Sequence, residues 1–504
     1  MALTLSAVPR PARALRRAWT APLERPSLLA AATVLLVCVP TGEKDVTAAV
    51  HVTAADLASL ALVALTAVNL LRGRTPAIGR TAAVRFGAVV VAAAVATIGS
   101  IDPATSVTGF VRLTQVFVLV PAAVLCSLRD RTDHRLVLGS FVAAALIEGA
   151  VGAHQYLTRT GASYAGQPVR AVGTFGALDI MAMSTVVSYG LLAALALALG
   201  SREPKNALPS KATGDQRAVG VLPAEGMGRA AVRGASTAGQ STAGQERPEA
   251  NGGDGERAGD ARLRRAMYAA AAFLAFPLAV SFSRGSWIAT GAAAAVLLLR
   301  ADARLAVRSA VLGLAAAVVL VGGLGLGASG ITDRLSSIGS VSAAPDQSVS
   351  DRYDLWATAE RIWQDHPVSG AGPKAFQQLR DSHAPLRLSS GSDAADATIG
   401  FQREPLLSPH NMYFLVLSEQ GLIGIVAYAV LFLGLLLGCL RRATGPGLAA
   451  LALLVWVLVD FLYADIGGTT TVLTSVVLGL AARAARARPE RPGPSSQTGK
   501  APTR

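Results

Sequence analysis

Apolar residues in this chain gather into long runs separated by short polar segments. The runs fall at about 27–40, 55–71, 86–101, 107–127, 136–157, 177–200, 266–282, 286–300, 309–329, 411–438, 447–465 and 470–482. Most approach the roughly 20 helical residues that cross a hydrocarbon core of about 30 Å. Lipid offers no partner to backbone N–H and C=O groups, so runs of this length are expected to be helices. The pattern predicts an all-α integral membrane protein of about 12 transmembrane helices. The closely spaced pair 266–282 and 286–300 leaves room for one re-entrant element.

Charge between the runs sets the expected orientation. With the N-terminus inside, alternate loops carry Arg72, Arg74, Arg80 and Arg85, then Arg129, Arg131 and Arg135, then Arg300, Arg304 and Arg308, then Arg441 and Arg442. The intervening short loops hold Glu43, Lys44 and Asp45, then Asp102, then Asp465. Basic loops stay on the cytoplasmic side. Both termini are therefore expected to be cytoplasmic, in a multi-pass protein of the cell membrane. Arg10, Arg13, Arg16 and Arg17 ahead of the first run look like the start of a secretory signal, but the spans that follow make that run a retained first helix.

The expected organisation is a basic cytoplasmic N-terminus (1–26), spans over 27–200, a cytoplasmic linker (201–265), spans over 266–329, a large extracytoplasmic loop (330–410), spans over 411–483 and a basic tail (484–504). The linker is rich in Gly, Ala, Ser and mixed charge and repeats Ser-Thr-Ala-Gly-Gln at 236–240 and 241–245, which predicts disorder. The outer loop is different, because Tyr353, Trp356, Trp363, Phe376 and Phe401 supply a core. Ser350 is expected to cap a loop helix whose stripe is Leu355, Ala359, Ile362 and Trp363, with Pro367 ending it.

Composition agrees with this picture. The chain of 504 residues is 52% hydrophobic and 15% charged, where soluble domains are about a quarter charged. Its net charge of +14 sits between apolar runs rather than on one aromatic-studded surface, which argues against nucleic acid as a partner. Cys38, Cys126 and Cys439 lie in or at the end of separate apolar runs, so neither a disulfide framework nor a metal cluster is expected.

Candidate chemistry concentrates on the outer side. Ser283-Arg284-Gly285-Ser286-Trp287 places an arginine at the outer end of the seventh run. Either it snorkels to water beside a belt tryptophan, or its planar fork meets phosphate oxygens. Asp351-Arg352-Tyr353-Asp354-Leu355-Trp356 sets Arg352 and Trp356 one turn apart, with flanking aspartates that either neutralise the arginine or leave it to a ligand. The glycine-containing turn Asp365–Pro373 lacks the lysine and hydroxyl of a phosphate loop and reads as structural.

In Ser408-Pro409-His410-Asn411, Ser408 suits a helix cap, Pro409 the first helical position and His410 the first turn. There the helix dipole favours an anion and keeps the imidazole neutral, as a general base requires. Glu419, nine positions on, points away from His410, and a structural hydrogen bond to a neighbouring helix is expected of it. Gly421 and Gly424 permit close packing. Arg112 and Arg170 are further basic groups of the outward half.

In this order and topology, these stretches resemble the O-antigen ligase and polymerase superfamily of bacterial envelope glycosyltransferases over most of the chain. Similar proteins show about 12 helices, a Ser-Arg-Gly turn before a large outer loop, an Arg with a following Trp inside it, and a His-Asn pair at the return to the membrane. Here these are Arg284, Arg352, Trp356, His410 and Asn411, followed by Glu419 and Gly421. The resemblance implies a GT-C-like membrane glycosyltransferase. It would move a glycan from a polyprenyl pyrophosphate carrier to an acceptor hydroxyl on the extracytoplasmic face, with inversion and without metal or cofactor.

It further implies that Arg284 and Arg352 neutralise the pyrophosphate while His410 deprotonates or orients the acceptor. Arg112, Arg170 and Asn411 complete the expected substrate-binding set, and Glu419, Gly421 and Trp356 are structural. The acceptor is a glycan, lipid or protein hydroxyl, and membrane lipid is the other partner. Many relatives carry an Asn after a Gly-Thr-Phe segment, whereas this chain runs Gly173-Thr174-Phe175-Gly176-Ala177-Leu178-Asp179. The alternative is a transporter or flippase of an envelope glycolipid precursor, which would hold its binding residues near the bilayer midplane. A non-catalytic scaffold of an envelope-assembly complex is a third reading.

Overall fold

The computed structural model describes residues 25–40, 52–75, 77–164, 167–176, 179–200, 253–308, 347–396, 400–442 and 445–486. Every predicted run within them is a helix. These are α1 (Ser27–Leu35, continued by a 3₁₀ turn to Cys38), α2 (Ala54–Leu71), α3 (Arg80–Ile98), α4 (Pro103–Ser127), α5 (Arg131–Thr158), α6 (Ile180–Gly200), α7 (Gly253–Val280) and α8 (Arg284–Ala301). After the outer loop come α11 (Met412–Arg442), α12 (Pro446–Asp460) and α13 (Thr471–Arg486). Among the described residues seven helices are long and apolar enough to cross a membrane, namely α2 to α7 and α11, and α1 and α12 are shorter apolar helices. The ninth run, the linker to residue 252 and both terminal segments lie outside the described residues.

Local chemistry explains the boundaries. Thr53 with Asp56, and Asp130 with Asp133, form reciprocal capping boxes at the starts of α2 and α5. Asp102 caps α4, with Pro103 at its first position. The helix α7 begins at Gly253, earlier than the run that predicted it, so the charged stretch before residue 266 is helix rather than linker. Its Arg265 donates to Ala261 O one turn back (3.3 Å). The pair 266–282 and 286–300 forms two separate helices joined by a short turn through Phe282, whose φ of 51° is left-handed and rare for phenylalanine.

 Trp287 Nε1 donates across this turn to Leu278 O (2.8 Å).

The helices pack as one bundle, with α5 against α6, α6 against α7, α8 against α12, and α11 against α3. At one end of it, arginines take the carbonyls that helix C-termini leave open. Arg300 donates to Leu440 O (2.7 Å), Arg442 to Ala485 O (3.0 Å) and Arg483 to Leu128 O (2.9 Å). Arg300 and Arg442, two of the loop arginines that suggested orientation, thus also close the ends of neighbouring helices.

At the other end lies the outer loop, with α9 (Gln347–Asp365) and α10 (Ala375–His383). Ser350 sits inside α9 rather than at its cap, because the helix already runs from Gln347. Leu355, Ala359 and Ile362 join Ala371, Ala375, Phe376 and Leu406 in a small core of their own, as the stripe predicts. Trp363 does not, and its Nε1 instead donates to Pro367 O (3.1 Å). The helical reading gains one unforeseen part, a four-stranded antiparallel sheet. It joins β1 (Ala162–Tyr164) and β2 (Gln167–Arg170) to β3 (Gly391–Asp396) and β4 (Gly400–Pro405) in the order β2-β1-β3-β4.

Candidate functional site

The turn from Asp365 to Pro373 is structural, as expected, and it is also the joint that docks the outer loop. Helix α11 is interrupted at Gly421, whose φ of 59° and ψ of −157° no side chain tolerates well. The turn enters this break and takes up the backbone groups it exposes. Ala371 N donates to Ser418 O (3.0 Å) and Gly372 N to Glu419 O (2.9 Å), while Leu422 N donates to Pro367 O (3.0 Å) and Ile423 N to Val368 O (3.1 Å). Glu419 is structural here, but its partner is the outer loop, for its Oε1 accepts from Phe376 N (3.4 Å) at the start of α10. The same turn is tied to the α3–α4 loop by Ile101 N on Ala371 O (3.1 Å), Ser106 Oγ on Pro373 O (2.9 Å) and Gln378 Nε2 on Asp102 Oδ2 (2.9 Å).

This docking sets α9 beside the start of α11. Trp356 Nε1 donates to Pro409 O (3.0 Å), and its ring stacks on Phe414 at 5.6 Å. The helix start differs from expectation, since α11 begins at Met412 and Asn411 is its cap. Asn411 Oδ1 accepts from Tyr413 N (2.9 Å) and Phe414 N (3.2 Å). The reason is His410, whose φ of 46° is left-handed and cannot continue a helix from Pro409. The first free N–H of the helix, that of Met412, goes to Phe461 O (2.9 Å) and Ala464 O (3.1 Å), and Asn411 Nδ2 to Leu462 O (3.1 Å). The helix start is therefore closed by protein groups, with Asn411 as its cap.

The corner Phe461–Asp465 thus wraps the His410 turn. It also meets the Arg284 turn. Ser283 caps α8, Arg284 is its first residue, and a Cβ added at Gly285 would lie 3.5 Å from the ring of Tyr463. Arg352 reaches the same place from α9. Its flanking aspartates are hydrogen-bonded within the outer loop, Asp351 by Ser389 Oγ (2.6 Å) and Asp354 by Arg387 Nε (2.9 Å). Its charge acts on His410 and on Asp460. Burial first, and Arg352 second, hold the His410 imidazole down at about 4, so it is neutral. Neutrality was expected from the helix dipole, whereas its causes are burial and a guanidinium.

The sequence-predicted residues thus divide. The Arg284 turn, Arg352 and His410 each border the Phe461–Asp465 corner. Arg112 stands apart, paired with the buried Asp56 at 2.6 Å and bonded to Gln115 (3.2 Å). Arg170 is buried at the end of β2. Sequence reasoning missed the carboxylates of the corner. Asp465 is pushed up to about 6 by burial, while hydrogen bonding from Ser408 and from the N–H groups of His410 and Asn411 pulls it the other way. Asp179, which follows the Gly173-Thr174-Phe175 segment, accepts from Thr469 Oγ1 (2.8 Å) in the adjoining loop. Its turn is stapled by Glu148, which accepts from Thr174 N (2.9 Å) and Oγ1 (2.7 Å), and by Gln155 Nε2 on Gly173 O (2.8 Å). The available signal was an acidic side chain inside or at the end of an apolar run.

No curated protein matches the chain. Residues 269–429, which carry Arg284, Arg352, His410 and the Gly421 joint, match the family model described as O-antigen ligase. Over that segment, from α7 through the Gly421 joint, the chain is similar to the O-antigen ligase family.

Proposed function

We propose that the protein transfers a glycan from a polyprenyl pyrophosphate carrier to an acceptor hydroxyl, on the face of the cell membrane opposite its arginine-rich end. The observation that carries this reading is a neutral His410 under the charge of Arg352, within the matched segment and at the corner that Arg284 borders. A guanidinium fork suits phosphate oxygens. His410 takes the proton of the acceptor O–H, the oxygen attacks the anomeric carbon from the side away from the leaving group, and the bond from that carbon to the phosphate oxygen breaks. The configuration inverts. Charge arriving on the diphosphate is met by Arg284 and Arg352, which do the work a divalent cation does elsewhere.

The reading predicts a particular pH dependence. In free protein the imidazole protonates only near 4, well below the ordinary 6.5, so the acid limb of kcat/KM is expected near 4. A bound diphosphate opposes the charge of Arg352 and favours the imidazolium, so the limb of kcat moves to higher pH. A kcat/KM limb at the ordinary imidazole value, or no difference between the two profiles, contradicts the assignment.

Reconstitution in proteoliposomes with a polyprenyl-pyrophosphate-linked glycan tests the activity, with polymer length read against anchor attachment. Transfer is expected to persist in EDTA and to drop at least about tenfold with Arg352→Ala, as loss of a charge-assisted contact requires. Longer glycan on the carrier marks a polymerase, and glycan on a second molecule marks a ligase. Absence of either product, or transfer abolished by EDTA, overturns the proposal.

A further inference from the structure

Next to Arg352 stands an aromatic ring that the transfer chemistry leaves unused. Tyr353 is 46% exposed, although the helix that bears it is held firmly. Ser389 N (3.3 Å) and Oγ (2.6 Å) donate to Asp351, and Arg387 Nε donates to both oxygens of Asp354 (2.9 Å each). Those aspartates are 5% and 3% exposed, so α9 is pinned on both sides of Tyr353. The Tyr353 ring stands edge to face on Trp356 at 5.4 Å and 82°, and Trp356 in turn stacks on Phe414 and donates to Pro409 O. An exposed ring is thereby set at a fixed position relative to His410, the residue after Pro409.

We propose that Tyr353 is a stacking surface for a pyranose ring of the glycan substrate, beside the bond that is made. The inference rests on the glycosyl-transfer reading and adds to it a saccharide subsite. One face of a pyranose carries C–H groups and its rim carries hydroxyls. A rigid aromatic face bordered by polar groups matches both, with little side-chain entropy left to lose on binding. The exposed Tyr353 ring, resting against Trp356 on a pinned helix, meets this description, with the charged Arg352 as its chain neighbour.

The test is equilibrium binding, which needs no turnover and so separates this inference from the activity. The full-length protein in detergent is titrated calorimetrically with the oligosaccharide released by mild acid from the host's polyprenyl-pyrophosphate pool. Wild-type protein is expected to bind it, Tyr353→Ala to bind about tenfold more weakly and Tyr353→Phe to bind as wild type, since stacking of this kind is worth roughly a factor of ten. In the reconstituted reaction the loss falls on KM, for the donor if its sugar occupies the surface and for the acceptor if the acceptor's does. Wild-type protein that binds no saccharide, or a Tyr353→Ala variant with unchanged affinity, overturns the inference. So does a Tyr353→Phe variant as weak as Tyr353→Ala, because the hydroxyl and not the ring would then be responsible. Should Tyr353→Ala not be recovered folded, Tyr353→Leu keeps the bulk without the aromatic face and is expected to weaken binding likewise.

Discussion

Replacing His410 with alanine is expected to lower glycan transfer roughly a hundred- to ten-thousand-fold, the usual worth of a positioned general base. The variant should reach the membrane in normal amount. No side-chain hydrogen bond from His410 holds the α11 start; that task falls to Asn411, whose Oδ1 takes Tyr413 N and Phe414 N. The left-handed φ of 46° is tolerated by many residues less well than by glycine, so alanine costs little beyond what histidine already bears. Immunoblotting of membranes for the variant, beside product analysis in the reconstituted reaction, checks both halves. Full transfer by the variant would remove the chemical role of the imidazole.

Gly421→Ala is expected to be as damaging, for a different reason. A Cβ there would stand 2.4 Å from Val368 O and 2.6 Å from Gly370 N, both backbone atoms that cannot swing aside. The backbone at Gly421 also occupies a region costing non-glycine residues about 1–3 kcal/mol. Overpacking adds about 1–3 kcal/mol more. The turn from Pro367 must then leave the break, taking with it the joint that holds α9 over His410. Faster proteolysis of the outer loop, a lower Tm and loss of transfer are expected together. Gly87→Ala is the control, because nothing lies within 4 Å of the added Cβ and alanine suits a helix interior. A Gly421→Ala protein with wild-type Tm and activity would mean that the joint has no part in assembling the site.

The helices were legible because lipid makes a run of apolar residues and a helix nearly the same statement, as α2 to α6 illustrate. The outer-loop core was legible through the helical spacing of Leu355, Ala359 and Ile362. Other features depend on contacts distant in the chain. Nothing local to Asp365–Pro373 says that it enters a broken helix at Gly421, and a strand as short as Ala162–Tyr164 carries no period to read before Ala394 and Ala395 pair with it. Ser408-Pro409 has the composition of a helix start, yet the left-handed turn at His410 passes the cap to Asn411. Nothing beside Arg352 in the sequence says that its flanking aspartates take Ser389 and Arg387 as partners. Arg112 looked available until Asp56 claimed it.

The central claim is that Arg284, Arg352 and His410 serve one diphosphate-linked reaction as a unit, and a double-mutant cycle addresses it most directly. Steady-state kcat/KM would be measured for Arg352→Ala, His410→Ala and the double variant, and again with Arg284→Ala in place of Arg352→Ala. Groups acting on one transition state give strongly non-additive losses, with coupling of about 1 kcal/mol or more. The account predicts that the second substitution adds little to the first in both cycles. Losses that simply multiply would show that these residues act at separate places, and would contradict it.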